Sequence, residues 1–186
     1  ILVGSSMGGW ISLLLARQMP DRIAGLIGIA SAPDFTDDIW DHATADQQAQ
    51  MTAQGFLEHP SDYGPEPDIY TLRLIEDGRR QRIFDRPLTL PFPTRWLQGT
   101  ADTAVPVSTA LRLLEHADGP DIRLTLVKGA DHRFSTPACL AMIARAVHDV
   151  ADAATGKTLR DLPQPNIYPA MTLSPDGKRI AYSQVD

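Results

Sequence analysis

A serine lies between two glycines near the start of the chain, in Gly4-Ser5-Ser6-Met7-Gly8. The apolar run Ile1-Leu2-Val3 before it predicts a buried strand, and the Leu- and Ala-rich residues 10–19 after it predict a helix. A strand that reverses into a helix within two residues forces the central residue into a strained conformation, with glycine favoured on either side. The sequence therefore predicts that Ser6 stands clear of the sheet, where its hydroxyl could act as a nucleophile.

The residue after this serine could supply the second part of such chemistry. The backbone N–H of Met7 is expected in the first turn of the helix, where free donors and the helix dipole favour an anion. Met7 is therefore predicted to form one side of an oxyanion hole. The simpler alternative is an ordinary glycine- and serine-rich loop of a parallel sheet.

Two further polar residues follow predicted strands in the same way. Asp102 comes after the short strand predicted over 94–98, and His132 comes after the one predicted over 122–127. Because the carboxyl ends of parallel strands share one edge of a sheet, Ser6, Asp102 and His132 are predicted to meet there. Their order along the chain is that of the α/β hydrolases. The expected chemistry is acyl transfer, in which a serine attacks a carbonyl while a histidine, oriented by a carboxylate, takes its proton.

Each of these residues has a plainer alternative role. Asp102 could cap the helix predicted over 107–116, and His132 could be a surface histidine. Asp131 is a rival acid, although it is adjacent to His132 and its side chain is poorly placed to reach that ring. The other histidines lack a comparable context and are expected to be surface residues: His42, His59, His116 and His148. No His/Cys cluster has metal-ligand spacing, so neither a metal nor a cofactor is predicted.

Three groups of residues together resemble one subgroup of the α/β-hydrolase superfamily of serine hydrolases. They are Gly4-Ser5-Ser6-Met7-Gly8-Gly9-Trp10, Gly99-x-x-Asp102-x-x-Val105-Pro106 and Asp131-His132-Arg133. The subgroup contains the mitochondrial palmitoyl-protein thioesterase that also cleaves acyl glucuronides, together with its bacterial relatives. Residues 74–80 also resemble the insertion helix of the bacterial members. The resemblance covers residues 1–153 and implies hydrolysis of acyl thioesters or esters, with Ser6 as nucleophile, His132 as base and Asp102 as its orienting acid.

The four predicted strands are fewer than an α/β-hydrolase sheet contains. They cover residues 1–3, 23–29, 94–98 and 122–127, and the resemblance matches them to strands 5–8 of that fold. We therefore expect residues 1–153 to be the C-terminal half of an α/β-hydrolase domain whose first strands precede the chain. The second oxyanion donor of the fold comes from a loop after the third strand. Because losing one such donor costs about 100- to 1,000-fold in turnover, the chain alone is expected to be inactive.

A long insertion separates the second and third predicted strands, at residues 33–93. It holds most of the aromatic residues of the chain: Phe35, Trp40, Phe56, Tyr63, Tyr70, Phe84 and Phe92. This concentration predicts an apolar lid suited to an acyl chain, although the aromatics could equally pack the insertion onto the sheet. Helices are predicted over 43–58, broken by Gly55, and over 68–84. Four arginines could meet an anionic substrate group or form a solvated helix face: Arg79, Arg80, Arg82 and Arg86.

Residues 154–186 form a separate segment. A polar, proline-containing linker precedes two short apolar runs around Ser174-Pro175-Asp176-Gly177, which predict a hairpin. The hairpin resembles one repeat of a β-propeller of the prolyl-oligopeptidase type. A peptidase of that type is therefore one alternative function, but Trp10 and the long insertion argue against it. The other two alternatives are a general carboxylesterase and a non-catalytic hydrolase scaffold.

The composition of the chain limits the classes of partner and the cellular location that can be expected. The chain has 186 residues, 43% of them apolar, and a net charge of −6, so it lacks the basic footprint of a nucleic-acid-binding protein. No apolar run approaches the roughly 20 residues that span a bilayer. The single cysteine, Cys139, excludes an intrachain disulfide and suits a reducing compartment, from which a cytoplasmic location is expected. The expected partner is an acyl thioester or ester substrate, and the sequence leaves the oligomeric state open.

Overall fold

The structure is a computed structural model that describes residues 1–61, 64–156, 171–173 and 180–182. The strands are β1 (Leu2–Ser5), β2 (Leu26–Ile29), β3 (Phe56–His59), β4 (Asp68–Thr71), β5 (Leu88–Thr89), β6 (Thr94–Gly99), β7 (Ala117–Asp118), β8 (Ile122–Val127), β9 (Met171–Leu173) and β10 (Ile180–Tyr182). The helices are α1 (Met7–Gln18), α2 (Phe35–His42), α3 (Ala45–Gln54), α4 (Leu72–Arg80), α5 (Val107–His116) and α6 (Pro137–Thr155). None of these helices, all within the described residues, has the length and apolar character that crossing a bilayer requires.

Four parallel strands form the central sheet, in the order β1-β2-β6-β8. Leu26 of β2 pairs with Leu2 on one side and with Thr94 on the other. Every residue of β2 and β6 is buried, whereas β1 and β8 are partly exposed. Inner strands of a parallel sheet are covered on both faces, which explains the apolar sequence of β2, whereas β6 also buries the polar side chains of Thr94, Arg95 and Gln98. All four strands predicted for the sheet are present, and the predicted α/β class is confirmed.

Helices cover both faces of this sheet. On one face, Val150 of α6 packs in a buried cluster with Ile27, Leu97 and Phe134. On the other face, Trp96 and Gln98 of β6 line a small cavity with side chains of α5. Successive strand residues point to opposite faces, so Leu97 faces α6 while its neighbours face α5. The double coverage buries β6 completely and holds its carboxyl end in place.

A buried arginine ties three elements of this layer together. Arg95 of β6 is only 5% exposed, and its guanidinium bonds to the carboxylates of Asp121, at 2.8 Å, and Asp149 of α6. It also donates to the backbone carbonyl of Thr94 at 2.8 Å. A buried charge requires such partners, because an unpaired guanidinium would lose its hydration without compensation. The network joins β6, the start of β8 and α6.

The insertion forms a compact unit of its own, from residue 33 to residue 86. Its core is built on Met51, Leu57 and Ile75, with Trp40 and Tyr70 packed against them. These two aromatics therefore pack within the insertion itself, whereas the sequence had offered only a lid contact or packing onto the sheet. The unit ends earlier than the predicted residue 93, because residues 87–93 group with the sheet. The predicted lid role of the insertion stays a prediction.

Polar contacts join the beginning and end of this unit. The buried carboxylate of Asp34 accepts hydrogen bonds from the backbone N–H groups of Ile83, at 2.7 Å, and Phe84, at 3.0 Å. Arg82 makes a bidentate pair with Asp37, at 2.7 and 3.0 Å. Such fork-to-carboxylate pairs fix orientation as well as charge. The two ends of the insertion are thus held side by side by its own residues.

The predicted bounds of the two helices in the insertion were wrong. The first stops at Gln54 because Gly55, with φ of 82°, ends α3, and the chain continues as β3 rather than as helix. The second begins only at Leu72, after β4. Residues of β3 and β4 pair as an antiparallel hairpin, with Phe56 opposite Thr71. The paired residues lie between nine and fifteen positions apart in the chain, and the local pattern did not reveal this contact.

In the C-terminal segment, β9 and β10 pair antiparallel, with Leu173 opposite Ile180. The predicted turn at 174–177 and the linker from 157 to 170 lie outside the described residues, as does Tyr63 of the insertion. The propeller-like interpretation of this segment stays a prediction.

The arginine network predicts a pH-dependent stability. The hydrogen bond from Arg95, reinforced by Arg123, holds the pKa of Asp121 below its usual value. A carboxylate with a lowered folded-state pKa stabilises the fold above its ordinary value near 4, and this contribution is lost as the pH falls through the lowered pKa. Asp121→Asn should lower the free energy of unfolding by about 1–2 kcal/mol at pH 7, and the gap should close in acid.

Denaturant unfolding of wild type and Asp121→Asn between pH 3 and 8 measures this gap. Asp21→Asn removes an exposed carboxylate and serves as the control, with little expected change. A gap that stayed constant across this pH range would contradict the role assigned to the Asp121 charge.

Candidate active site

Ser6 forms the turn between β1 and α1 in a conformation that non-glycine residues rarely adopt. Its φ is 52° and its ψ is −120°. Its N–H donates to the carbonyl of Ile29 at 2.9 Å, and its carbonyl accepts from the N–H groups of Gly9, at 2.9 Å, and Ala32, at 3.1 Å. Strained residues persist only where surrounding contacts determine them, and here the last residue of β2 and the loop after it supply two of those contacts. The predicted turn is confirmed.

The two glycines of the turn differ in how much space a Cβ atom would have. A Cβ on Gly4 would lie 2.3 Å from the carbonyl oxygen of Gly8 and 2.6 Å from Oγ of Ser12. A Cβ on Gly8 would meet no described atom within 4 Å. The predicted need for glycine is therefore confirmed at Gly4. For Gly8 it was wrong, because the crowding involves its carbonyl group and not the position of a side chain.

The three predicted site residues lie in one hydrogen-bonded line. His132 Nε2 is 3.1 Å from Oγ of Ser6, and His132 Nδ1 is 2.9 Å from Oδ2 of Asp102. The side chain of Asp102 is fully buried, and that of His132 is 18% exposed. Burial strengthens a hydrogen bond and excludes competing water. A serine hydroxyl, an imidazole and a carboxylate arranged in this way can activate the serine as a nucleophile.

The carboxylate of Asp102 is held on both of its oxygens. Oδ1 accepts from the backbone N–H groups of Ala104, at 2.9 Å, and Val105, at 2.8 Å. Oδ2 accepts from Gln98 Nε2, at 3.0 Å, in addition to its contact with His132. Asp102 thus binds the turn ahead of α5 with one oxygen and the histidine with the other. The capping alternative was wrong, because the N-cap of α5 is Pro106, without a side-chain hydrogen bond, and Asp102 binds the turn ahead of the helix.

The rival acid, Asp131, has a different partner. Its Oδ1 accepts from the backbone N–H of Phe134 at 3.1 Å. Phe134 has φ of 51° and is fully buried in the cluster beneath α6. A bulky residue with positive φ is unusual, and its burial holds the loop that carries His132 in that conformation. The contacts of Asp131 therefore shape the histidine loop.

The loops that carry Asp102 and His132 are packed directly on each other. The N–H of Ala101 donates to the carbonyl of Ala130 at 3.0 Å, and the N–H of Gly129 donates to Oγ1 of Thr100 at 2.9 Å. A Cβ on Gly99 would lie 2.2 Å from the same Ala130 oxygen. Only glycine at this position lets the two backbones approach so closely.

Met7 is the first residue of α1, as the oxyanion prediction requires. A backbone N–H at the first helical position has no acceptor four residues earlier within the helix. It therefore lies where an anion can be bound, one residue after the Ser6 hydroxyl. The role of Met7, and the second donor expected from a preceding loop, remain predictions.

The remaining histidines lie outside the line formed by Ser6, His132 and Asp102. His42 Nδ1 lies 2.8 Å from the carbonyl of Asp38, and His59 Nδ1 lies 2.8 Å from that of Pro60. His116 and His148 lie on α5 and α6. In the part of the chain that the structure describes, no group of three or more His, Cys, Asp or Glu side chains could hold a metal ion.

Comparison with known proteins identifies the architecture. The chain is similar to a putative hydrolase from Agrobacterium vitis S4, with 39% identity and a TM-score of 0.76 over 80% of this chain and 59% of that one. It is also similar to mouse alpha/beta hydrolase domain-containing protein 10, with 28% identity and a TM-score of 0.72 over 81% and 60%. This chain has the α/β-hydrolase fold. No protein-family model matches it.

A curated relative of this α/β-hydrolase chain carries a function in its name. Over 154 residues the chain is 30% identical to rat mitochondrial palmitoyl-protein thioesterase ABHD10, covering 82% of this chain and 52% of the relative. The resemblance drawn from the sequence motifs is thereby confirmed. The chain spans about half the length of the curated relatives that it matches.

Sequence reasoning missed two contacts that support this candidate site. One is Gln98, whose amide contacts Asp102; the signal was a lone amide within the otherwise apolar segment Trp96-Leu97-Gln98. The other is the pairing of Asp131 with Phe134, for which the only signal was an acid three residues before an apolar residue. That second pattern is too common to have been informative.

The geometry of the turn predicts opposite outcomes for two alanine substitutions. Gly4→Ala places a methyl group against the Gly8 carbonyl and should lower the free energy of unfolding by about 1–3 kcal/mol. Gly8→Ala meets no described atom and should leave that energy unchanged or raise it by up to about 1 kcal/mol, because alanine favours helix. Denaturant unfolding of both variants measures the difference. Equal effects would contradict the packing described for the turn.

Proposed function

We propose that this chain forms the catalytic part of a serine hydrolase that cleaves acyl thioesters or carboxylic esters, in the manner of a palmitoyl-protein thioesterase. Ser6 is the nucleophile, His132 the general base and Asp102 the acid that orients it. The observation that carries the proposal is the line in which Asp102 lies 2.9 Å from His132 and His132 lies 3.1 Å from Ser6. Both distances suit hydrogen bonds that direct a proton.

The first half of the reaction acylates the enzyme. Ser6 Oγ attacks the acyl carbonyl carbon while His132 Nε2 takes the hydroxyl proton. The oxyanion that forms is bound by the N–H of Met7 and by a second donor expected from another loop. The tetrahedral intermediate collapses, the carbon–sulfur or carbon–oxygen bond breaks, and His132 gives its proton to the leaving thiolate or alkoxide.

The second half releases the acid. His132 takes a proton from a water molecule, which attacks the carbonyl carbon of the acyl-enzyme. The second oxyanion is bound at the same N–H groups. Its collapse returns the proton to Ser6 Oγ and frees the carboxylic acid. Throughout, Asp102 holds the imidazole in one orientation and stabilises the cation that it becomes.

The proposed substrate class comes from the names of relatives. Those at 27–30% identity are palmitoyl-protein thioesterases, and the chain spans about half their length. The insertion is proposed to cover the acyl chain, with the aromatics that do not pack its own core as candidate contacts. A cytoplasmic location, expected from the cysteine content, belongs to the same proposal.

A substrate comparison tests the proposed function. The protein, expressed at its natural full length, is assayed with a palmitoyl thioester and with a short p-nitrophenyl ester. Preference for the thioester is the expected result. Cleavage of the short ester alone would indicate a general carboxylesterase and overturn the thioesterase assignment.

Ser6→Ala should abolish both activities, with Ser5→Ala as the matched control. The two serines are adjacent, but only Ser6 lies within hydrogen-bond distance of His132 among the described contacts. A fluorophosphonate probe, which reacts with activated serines, should label wild type and Ser5→Ala but not Ser6→Ala. Labelling that survives in Ser6→Ala would contradict the assignment of the nucleophile.

Exchange of each acid for its amide distinguishes the two aspartates beside the histidine. In Asp102→Asn the amide oxygen is needed by the N–H groups of Ala104 and Val105, so the NH₂ group faces His132 and the imidazole N–H loses its acceptor. This should lower kcat about 10³- to 10⁴-fold. Asp131→Asn keeps an oxygen that can accept from Phe134 and should change kcat by less than about 10-fold. Steady-state kinetics on the better substrate measures both. A larger loss for Asp131→Asn would reverse the assignment of the acid.

A further inference from the structure

We infer that Gln98 is a positioning residue, which holds the carboxylate of Asp102 in the orientation that the histidine needs. The inference rests on the proposed function, because it concerns the same hydrogen-bonded line. It adds a residue that does not touch the reacting atoms and acts through Asp102.

Gln98 reaches the site from within the sheet. It is the penultimate residue of β6 and is 1% exposed. Its Nε2 donates to Oδ2 of Asp102 at 3.0 Å, which is the same oxygen that lies 2.9 Å from His132 Nδ1. The amide also donates to the carbonyl of Val105 at 2.9 Å. One side chain thereby joins the rigid strand, the acid and the turn that follows it.

The surrounding acceptors decide which way the amide faces. Nε2 points at three oxygens: the Asp102 carboxylate and the carbonyls of Val105 and, at 3.3 Å, Gly99. A rotated amide would turn its own oxygen toward all three and would lose every bond. In the observed orientation, Oε1 is buried and has no partner among the described atoms. The donors are satisfied while the acceptor is left without a bond, which is unfavourable in a buried site.

Packing alone does not explain an amide here. The cavity beside Gln98 is lined mainly by apolar or small residues, among them Trp96, Ala110 and Leu113. Methionine or leucine would fill similar space and leave no buried oxygen without a partner. What glutamine adds is the pair of N–H groups directed at Asp102 and the turn. The carboxylate of Asp102 is thus held on Oδ2 from the strand as well as on Oδ1 from the turn.

Gln98→Met tests the inference in the protein at its natural full length. The substitution keeps the size of the side chain and removes its donors. We expect kcat to fall about 10- to 100-fold, the range for one lost hydrogen bond to a charged group, and KM to stay within about twofold. The rate of fluorophosphonate labelling should fall by the same factor as kcat, because both depend on the activated Ser6.

Two further variants accompany it. Trp96→Phe alters the same face of β6 and the same cavity. It removes an indole N–H that has no hydrogen-bond partner among the described atoms, so its kcat should match wild type. Gln98→Glu keeps the shape but turns an oxygen toward Asp102, and should lower kcat more than Gln98→Met. Thermal unfolding of every variant shows which ones are folded at the assay temperature.

The outcomes separate the two proposals. Activity that survives in Ser6→Ala overturns the proposed function itself. If Ser6→Ala is inactive and a folded Gln98→Met keeps the wild-type kcat, the positioning role alone is overturned. The role is also overturned if kcat and KM of Gln98→Met change together, or if Trp96→Phe loses as much kcat as Gln98→Met. It is overturned as well if both Gln98 variants fail to fold while Trp96→Phe folds. A folded Gln98 variant with lowered kcat and unchanged KM supports it.

Discussion

The parallel pairing of β1, β2, β6 and β8 is the constraint on which the candidate site depends. Parallel strands point their carboxyl ends to one edge, so the loops after β1, β6 and β8 must leave the sheet on the same side. Those loops carry Ser6, Asp102 and His132, residues far apart in the chain. Shifting one strand by a single residue would turn its side chains to the opposite face and move its loop. The burial of β2 and β6, and the arginine pairs of β6, therefore stabilise the geometry of the site as well as the fold.

Strain is concentrated where this edge meets the site. Positive φ occurs at Ser6, at Ala30 directly after β2, and at Phe134 in the histidine loop. Each such residue costs on the order of 1–3 kcal/mol and persists only where its surroundings determine it. The surroundings are visible in each case: Ala30 donates to the carbonyl of Leu97 at 2.9 Å, and Phe134 is anchored in the core beneath α6. The core thus supports a local geometry that the loops would not adopt alone.

The insertion has a different organisation, because its polar residues largely satisfy one another. Arg79 lies 4.8 Å from the ring centre of Trp40, and Arg80 and Arg82 pair with aspartates of the same unit. The sequence had left open whether these arginines meet an anionic substrate. The bidentate pair with Asp37 favours a structural role for Arg82, since a guanidinium already bound to a carboxylate is less free to bind another anion. Arg79 and Arg80 are exposed, and their role stays open.

Local patterns in the sequence were enough to predict the serine turn, the strands of the central sheet and the chain order of the three candidate residues. Each depends on neighbours in sequence: a strand, a glycine-bounded serine and a helix, or a strand followed by a polar loop. Contacts between distant segments decided the rest. The structure places Asp102 rather than Asp131 against His132, because Asp131 is bound to Phe134. It pairs β3 with β4, which sequence reasoning assigned to helices, and it brings Gln98 to the carboxylate of Asp102. The spacing of neighbouring residues determines local conformation, but the partner of a buried polar group depends on which chain segments the fold brings within about 3 Å.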